Sequence, residues 1–211
     1  SLIHFINSGW KVISQNNEEV IIRANAGCIW DELVEQTLLD GYYGLENLSL
    51  IPGTVGSTPV QNIGAYGAEA AQFIVSVHVF DNNAQRFFDI ENKDCEFGYR
   101  HSIFKSKPSW MVVSVDYRLK TVAATSTHYR AVEEYIQKNN LDGRDPMVVR
   151  NAVRLGKIAR MLQVPVWGTE ENPSRLGPNA PEVRELCDKT LSKMYFNACE
   201  DGLSDALRPP A

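Results

Sequence analysis

The chain has 211 residues, 44% of them hydrophobic, which is enough to build a buried core in one domain or two. A formal net charge of −5 and a pI near 5.4 leave no basic footprint for nucleic acid or an anionic membrane surface. No apolar run reaches the roughly 18–20 residues that span a bilayer, and no basic region with an apolar core opens the chain, so the expectation is a cytoplasmic protein with no membrane partner. The four cysteines, Cys28, Cys95, Cys187 and Cys199, are widely spaced with no C-x-x-C and no neighbouring histidine set; they read as reduced thiols, and no metal site is expected.

The chain opens on Ser1-Leu2-Ile3-His4-Phe5-Ile6 without Met, as though inside a strand, and reads as a fragment. Residues 18–26 (EEVIIRANA) are expected to form a strand ending at Gly27. From Trp30 the period changes: Trp30, Leu33, Val34, Thr37 and Leu38 fall on one helical face, with Asp31, Glu32 and Glu35 early, where negative charge suits the helix dipole, and Gly41 as the stop. Residues 44–67, with glycines at 44, 53, 56, 64 and 67 and prolines at 52 and 59, read as a loop-dominated segment despite their apolar residues. A strand follows over 73–80, with Phe73, Val75, Val77 and Val79 sharing a face; Asp81-Asn82-Asn83 turns it into a returning strand, Arg86 to Ile90. Residues 111–119 alternate, placing Val113, Val115, Tyr117 and Leu119 inward and Ser114, Asp116 and Arg118 outward. Strands with one helix in this order predict an α+β fold.

Beyond Lys120 the small polar run 121–128 reads as a linker. A helix is expected over about 129–139, and a second from Asp145-Pro146, a capping residue with proline at the first helical position, to about Leu162. Val164-Pro165-Val166-Trp167 reads as a short strand, followed by a Pro/Gly loop and a helix from Pro181 to about Leu191.

The stretch richest in chemistry is Gly44 to Gly67, GLENLSLIPGTVGSTPVQNIGAYG. Its glycines let backbone approach a ligand, its amides suit a pyrophosphate, and Ser57, Thr58, Gln61 and Asn62 add polar groups beside the apolar Ile51, Val60 and Ile63. Neither a G-x-G-x-x-G nor a Walker A spacing is present, and composition alone reads equally well as a turn-rich surface loop. Roughly thirty residues on comes Phe97-Gly98-Tyr99-Arg100-His101-Ser102-Ile103-Phe104-Lys105. Taken alone, Arg100 reads as a structural ion pair closing a strand end.

Together the two runs resemble, in the right order, the flavin segment and the FGYRxSxFK motif of the UDP-N-acetylenolpyruvoylglucosamine reductase family. That resemblance, for residues 1 to about 150, implies the second FAD-binding subdomain of a vanillyl-alcohol-oxidase-type flavin fold, followed by a helix-rich α/β segment. It implies FAD and NADPH as cofactors, a UDP-sugar as partner, and no obligate protein partner. By the same resemblance, Ile51, Pro52, Gly53, Val55, Gly56, Ser57, Thr58, Val60, Gln61, Asn62, Gly64, Ala65 and Tyr66 would contact FAD. Tyr99 and Arg100 would contact substrate, with Arg100 catalytic: a fixed guanidinium beside the charge that develops as hydride reaches the enolpyruvyl double bond, an effect of about 3 kcal/mol. Three family features have no counterpart: an early G-x-G-S-N loop, A-G-S-F-F-K-N-P with its proton-donating serine, and a late glutamate.

The implied domains are a partial FAD-binding domain over 1–120, the start of a substrate-binding domain over 121–153, and a further segment over 154–211. Within that last segment, Arg154 to Pro173 and Leu176-Gly177-Pro178 resemble the early part of an isochorismatase-like cysteine hydrolase, with Lys193 matching its lysine. Its aspartate is missing, and Cys187 and Cys199 are misplaced for its nucleophile, so a non-catalytic fusion product is the remaining alternative.

Overall fold

The computed structural model describes residues 6–123 and 130–163. The expected strand Val164–Trp167, the helix Pro181–Leu191, Tyr129, Lys193, Cys187 and Cys199 lie outside the described residues. The chain divides into two compact units, residues 1–154 and 155–211.

The first unit is built on a five-stranded antiparallel sheet in the order β1-β2-β7-β5-β6, formed by β1 Trp10–Gln15, β2 Glu19–Asn25, β5 Ile74–Asp81, β6 Arg86–Glu91 and β7 Trp110–Lys120. Besides four short 3-10 turns, the other described first-unit elements are α1 Trp30–Leu39, α2 Ser57–Gln61, the two-residue strands β3 Gly64–Ala65 and β4 Ala68–Glu69, α3 Arg130–Lys138 and the start of α4. Helix α4, Pro146–Gln163, runs past residue 154, and its last residues are the described part of the second unit.

Alternation in the two central strands makes the core. Val20, Ile22 and Ala24 of β2 stand opposite Leu119, Tyr117 and Val115 of β7, and all six are buried. The helical face read from the sequence is the face α1 turns to them: Trp30, Leu33, Val34, Thr37 and Leu38 are its buried residues. Trp30 meets Tyr117 with ring centroids 5.7 Å apart. Side chains of this kind contribute roughly 1.5–3 kcal/mol each when fully buried, so the sheet and α1 stabilise one another without any special contact. Gly41 ends the helix as expected, with φ of +79° and its amide on the Leu38 carbonyl.

Four details differ from the sequence reading. Strand β1 was not expected, because five of its six residues are exposed and an edge strand of that kind carries no inward alternation. The stretch 44–67 carries more regular structure than its glycines suggested: it contains α2 and β3, whose partner β4 follows just beyond it. In β5, register shifts at Ile74/Ser76 and His78/Val79 break the alternation, so Ile74, Val77 and Val79 are buried while Phe73 and Val75 are only partly so. In β7, Ser114 and Asp116 are buried rather than outward, and Val113 is half-buried, because the strand is central and its second face is covered by polar groups.

That second face is an ion network set by register. Arg23, Ser76 and Asp116 are cross-strand neighbours, as are His78 and Asp89. Arg23 donates from Nε and a terminal nitrogen to the two Asp116 oxygens at 2.7 and 2.8 Å, and Ser76 Oγ donates to Asp116 at 3.3 Å. His78 places Nδ1 2.5 Å from Asp89 Oδ1 and Nε2 3.1 Å from Asp116 Oδ2. Burial alone would raise the Asp116 pKa, but Arg23 and His78 outweigh it and hold the carboxyl well below the usual range. Asp116 in turn raises His78 against its own burial, and Asp89 adds to the effect.

A smaller apolar cluster gathers Tyr66, Val132, Ile136, Val149, Ala152 and Val153, so α3 and the first part of α4 pack on the end of the glycine-rich stretch. Helix α4 starts as predicted, with the Asp145 carboxylate accepting the Met147 amide at 2.8 Å.

Candidate active site

The stretch 44–67 begins with apolar anchors. Leu45 and Leu48 are buried in the main core, and Gly44, at φ +132°, donates its amide to the Glu46 carboxylate at 2.7 Å. Burial pushes the Glu46 pKa up, against the pull of those backbone bonds. The backbone then runs alongside the start of α1. Trp30 Nε1 donates to the Leu48 carbonyl at 2.9 Å, Asp31 accepts the Leu50 amide at 2.5 Å, and the Trp30 amide donates to the Gly53 carbonyl at 3.1 Å. Val55 and Gly56 donate to the carbonyls of Cys28 and Ala26, both at 2.9 Å. A Cβ on Gly56 would stand 2.9 Å from Ala26 Cβ, so only glycine lets the loop lie this close to the end of β2.

Helix α2 follows for five residues and is stopped by Asn62 at φ +41°. Its Thr58 hydroxyl sits 2.5 Å from the buried Tyr117 hydroxyl, tying the loop to the central strand. The Asn62 side chain joins three segments: Nδ2 donates to Glu69 at 3.0 Å and to the Gly98 carbonyl at 2.9 Å, while Oδ1 accepts the Ala71 amide at 3.0 Å.

The second motif is thereby brought against the first. Gly98 and His101 exchange amide–carbonyl bonds at 3.1 Å, making a tight turn with Tyr99 and Arg100 at its tip, and Arg100 takes φ +52°. The Arg100 guanidinium folds back on the loop, donating to the Asn62 carbonyl at 3.1 Å and the Gly64 carbonyl at 2.5 Å. A Cβ at Gly64 would lie 2.7 Å from that guanidinium and 3.0 Å from the Ala68 carbonyl oxygen, so a larger residue there would press on the docked arginine. Tyr99 is 83% exposed, with the Arg100 guanidinium carbon 5.3 Å from its ring centre. Lys105 Nζ donates to the Arg100 carbonyl at 2.6 Å, and Ser102 Oγ to the Val60 carbonyl at 2.8 Å.

The residues expected to touch FAD separate into groups. Pro52, Gly53, Ser57 and Gln61 are exposed, and Ile51, Val60, Gly64 and Ala65 are partly so; these form the open side of the loop. Val55, Thr58, Asn62 and Tyr66 are buried: Val55 in the main core, Thr58 against Tyr117, Asn62 in the junction just described, and Tyr66 in the cluster with α3 and α4. The amides of Val55, Gly56, Ser57 and Thr58 already bond internal carbonyls, so these four do not form the run of free donors that the glycines suggested. Gly53, at φ +121° and with no side chain, and the adjoining Thr54 remain at the open edge, where backbone can meet a phosphate. The residues present fit a diphosphate-bearing flavin lying along one wall.

The motifs alone did not show two residues. Arg150 of α4 donates to both Asp31 oxygens, at 2.7 and 3.1 Å, and Asp31 is the group that holds the Leu50 amide. Asp31 lies 119 residues from Arg150, and in the sequence it reads as an ordinary acidic residue of a first helical turn.

The chain is similar in sequence to several known proteins. Residues 4–86 match the FAD binding domain family model. A UDP-N-acetylenolpyruvoylglucosamine reductase of Neisseria meningitidis serogroup C is 40% identical over 187 residues, covering 81% of this chain and 54% of the relative. Another, from Bdellovibrio bacteriovorus, is 36% identical over 189 residues, covering 89% of this chain and 55% of the relative. A third, from Neisseria meningitidis serogroup B, is 49% identical over 122 residues, covering 57% and 35%. A crystal structure of UDP-N-acetylenolpyruvylglucosamine reductase from Thermus caldophilus aligns with a TM-score of 0.46 at 24% identity, over 67% of this chain and 43% of that one. The chain thus resembles an FAD-dependent oxidoreductase and has an α+β fold with a FAD-binding domain match. It spans about half the length of the serogroup C and Bdellovibrio relatives. Matches covering 81% and 89% of the chain are too long to stop at residue 154, so the hydrolase alternative is not favoured.

Proposed function

We propose that this chain is the flavin-holding part of an FAD-dependent reductase that uses NADPH to convert UDP-N-acetylglucosamine enolpyruvate to UDP-N-acetylmuramate, a step of peptidoglycan precursor synthesis in the cytoplasm, with the UDP-sugar as its small-molecule partner. The observation that carries this reading is the docking of the Arg100 turn on the carbonyls at the exit of the glycine-rich loop. Two motifs about thirty residues apart in the sequence are brought into contact there.

A bound flavin would supply the hydride. The chain's own residues divide the remaining work. The open side of the loop would give the flavin an apolar wall at Ile51 and Pro52 and a close backbone approach at Gly53. Arg100 presents a permanent cation held by two carbonyls, suited to a substrate carboxylate and to the negative charge that builds beside it. Tyr99, exposed and against that cation, would cover the sugar side of the same edge. Asn62 and Lys105 fix the turn from which Arg100 projects.

The test is titration of the purified chain with FAD, followed by quenching of flavin fluorescence and by the shape of the visible flavin band. Weak but saturable uptake is expected. A chain that leaves the flavin spectrum unchanged at all ratios overturns the reading and favours a non-catalytic product. In a chain that turns over, Arg100→Ala should lower the rate of NADPH-dependent reduction by about 100-fold or more, with flavin affinity little changed. Equal loss of both would move Arg100 from the substrate to the flavin.

A further inference from the structure

We infer that Asp31 and Arg150 are positioning residues for the flavin loop: a carboxylate at the start of α1, locked by a buried arginine from α4, sets the backbone that enters Ile51-Pro52-Gly53. The inference rests on the flavin reading above and adds to it two residues outside both motifs.

The geometry has three parts. First, α1 grips the loop by its opening turn. Trp30 bonds Leu48 and Gly53, and Asp31 takes the Leu50 amide between them. Second, Leu50 stands at φ +53°, a conformation that costs a branched side chain energy and persists only when neighbours impose it. The Asp31–Leu50 bond at 2.5 Å is made at that residue, one position before Ile51. Third, Asp31 is itself fixed. Arg150 is fully buried and gives both terminal nitrogens to the Asp31 carboxylate, one of them also reaching the Asp31 carbonyl at 3.3 Å. Glu35, 3.6 Å from Arg150 and 3.8 Å from Arg154, is more exposed and farther away. A guanidinium without water needs a close counterion, and a planar fork restrains its carboxylate in direction as well as distance. One Asp31 oxygen accepts from both Arg150 and Leu50, so a shift in the arginine moves the loop acceptor.

The experiment uses the full chain and two readouts on each variant. Hydrogen exchange of residues 48–55 without flavin reports the clamp, and flavin fluorescence titration reports its effect. Arg150→Met should raise exchange in 48–55 while β2 and β7 keep wild-type protection, and should weaken flavin binding by about tenfold. Arg150→Lys, which restores charge without the fork, should recover part of both. Asp31→Asn serves as the second variant should Arg150→Met fail to fold, and should show the same local rise in exchange. Wild-type exchange in 48–55 in both variants overturns the inference. So does a rise in exchange with flavin affinity unchanged, because the flavin then does not sense the clamp. A uniform rise across the sheet also overturns it, since that marks general destabilisation. If the wild-type chain takes up no flavin, the proposed function fails separately, and exchange at 48–55 alone decides whether Asp31 and Arg150 hold the loop.

Discussion

The sheet with α1 and the glycine-rich loop with the Arg100 turn are held together in different ways. The first is a layer of side chains in which Val20, Ile22, Leu33, Val34, Tyr117 and Leu119 each bury apolar surface and share the work. The second is anchored by a few apolar residues, Leu45, Leu48 and Val55, and between them its backbone is fixed by single polar bonds such as Thr58 to Tyr117, Asn62 to Gly98 and Asp31 to Leu50. The first tolerates substitutions that keep volume, and the second is sensitive to the loss of one atom. A binding loop benefits from that arrangement, because its donors and left-handed residues must be placed one by one.

The largest effect is expected where the layers meet. Trp30 is in the core and also donates to the Leu48 carbonyl, so Trp30→Ala should destabilise by about 3–5 kcal/mol in denaturant unfolding. A cost below about 1 kcal/mol would mean that the core does not depend on α1. Next comes the polar face of the sheet. Asp116→Ala leaves Arg23 and His78 facing each other without their shared counterion and should cost about 2 kcal/mol, less than for a fully buried pair because Arg23 is partly exposed. Within the loop, Thr58→Val leaves the Tyr117 hydroxyl buried without that partner and should cost about 1–2 kcal/mol. If it cost nothing, the loop would not be tied to the central strand through this bond.

The smallest effect is one of pH. His78 has a pKa raised above its ordinary 6.5 by Asp116 and Asp89, with burial and Arg23 opposing. Its contribution is therefore complete below 6.5 and fades as pH climbs through the raised value. Asp116 is held below its ordinary 3.8, so its contribution is present above that value and is lost only as pH falls through the lowered one. Wild-type stability should decline as pH rises above 6.5 through the raised value, and His78→Asn should flatten that decline in thermal midpoints taken across the range.

The same contrast explains what could be read from the sequence. Helix α1, its buried face and its glycine stop follow from a 3.6-residue period, and β2 and the buried half of β7 from alternation. The edge strand β1 has no such pattern because most of its residues face water, and the ion network needs a register that no single strand encodes. At the site, motif resemblance picked out the loop and Arg100, and the structure places them in contact. It could not show that Val55 and Tyr66 turn into cores, nor that Arg150 reaches Asp31, because those facts depend on packing between distant segments.

The order of the strands also shapes the life of the chain during synthesis. Strand β7 lies between β2 and β5 and is the last of the sheet to leave the ribosome. Until residue 120 emerges, the pair β1–β2 and the hairpin β5–β6 each expose an unpaired edge with nothing to join them. Completing the sheet requires residues 19–25 to find residues 114–120, a contact of high sequence separation that slows folding. A nascent chain stalled before that point would be a substrate for chaperones or for aggregation rather than a partly working protein.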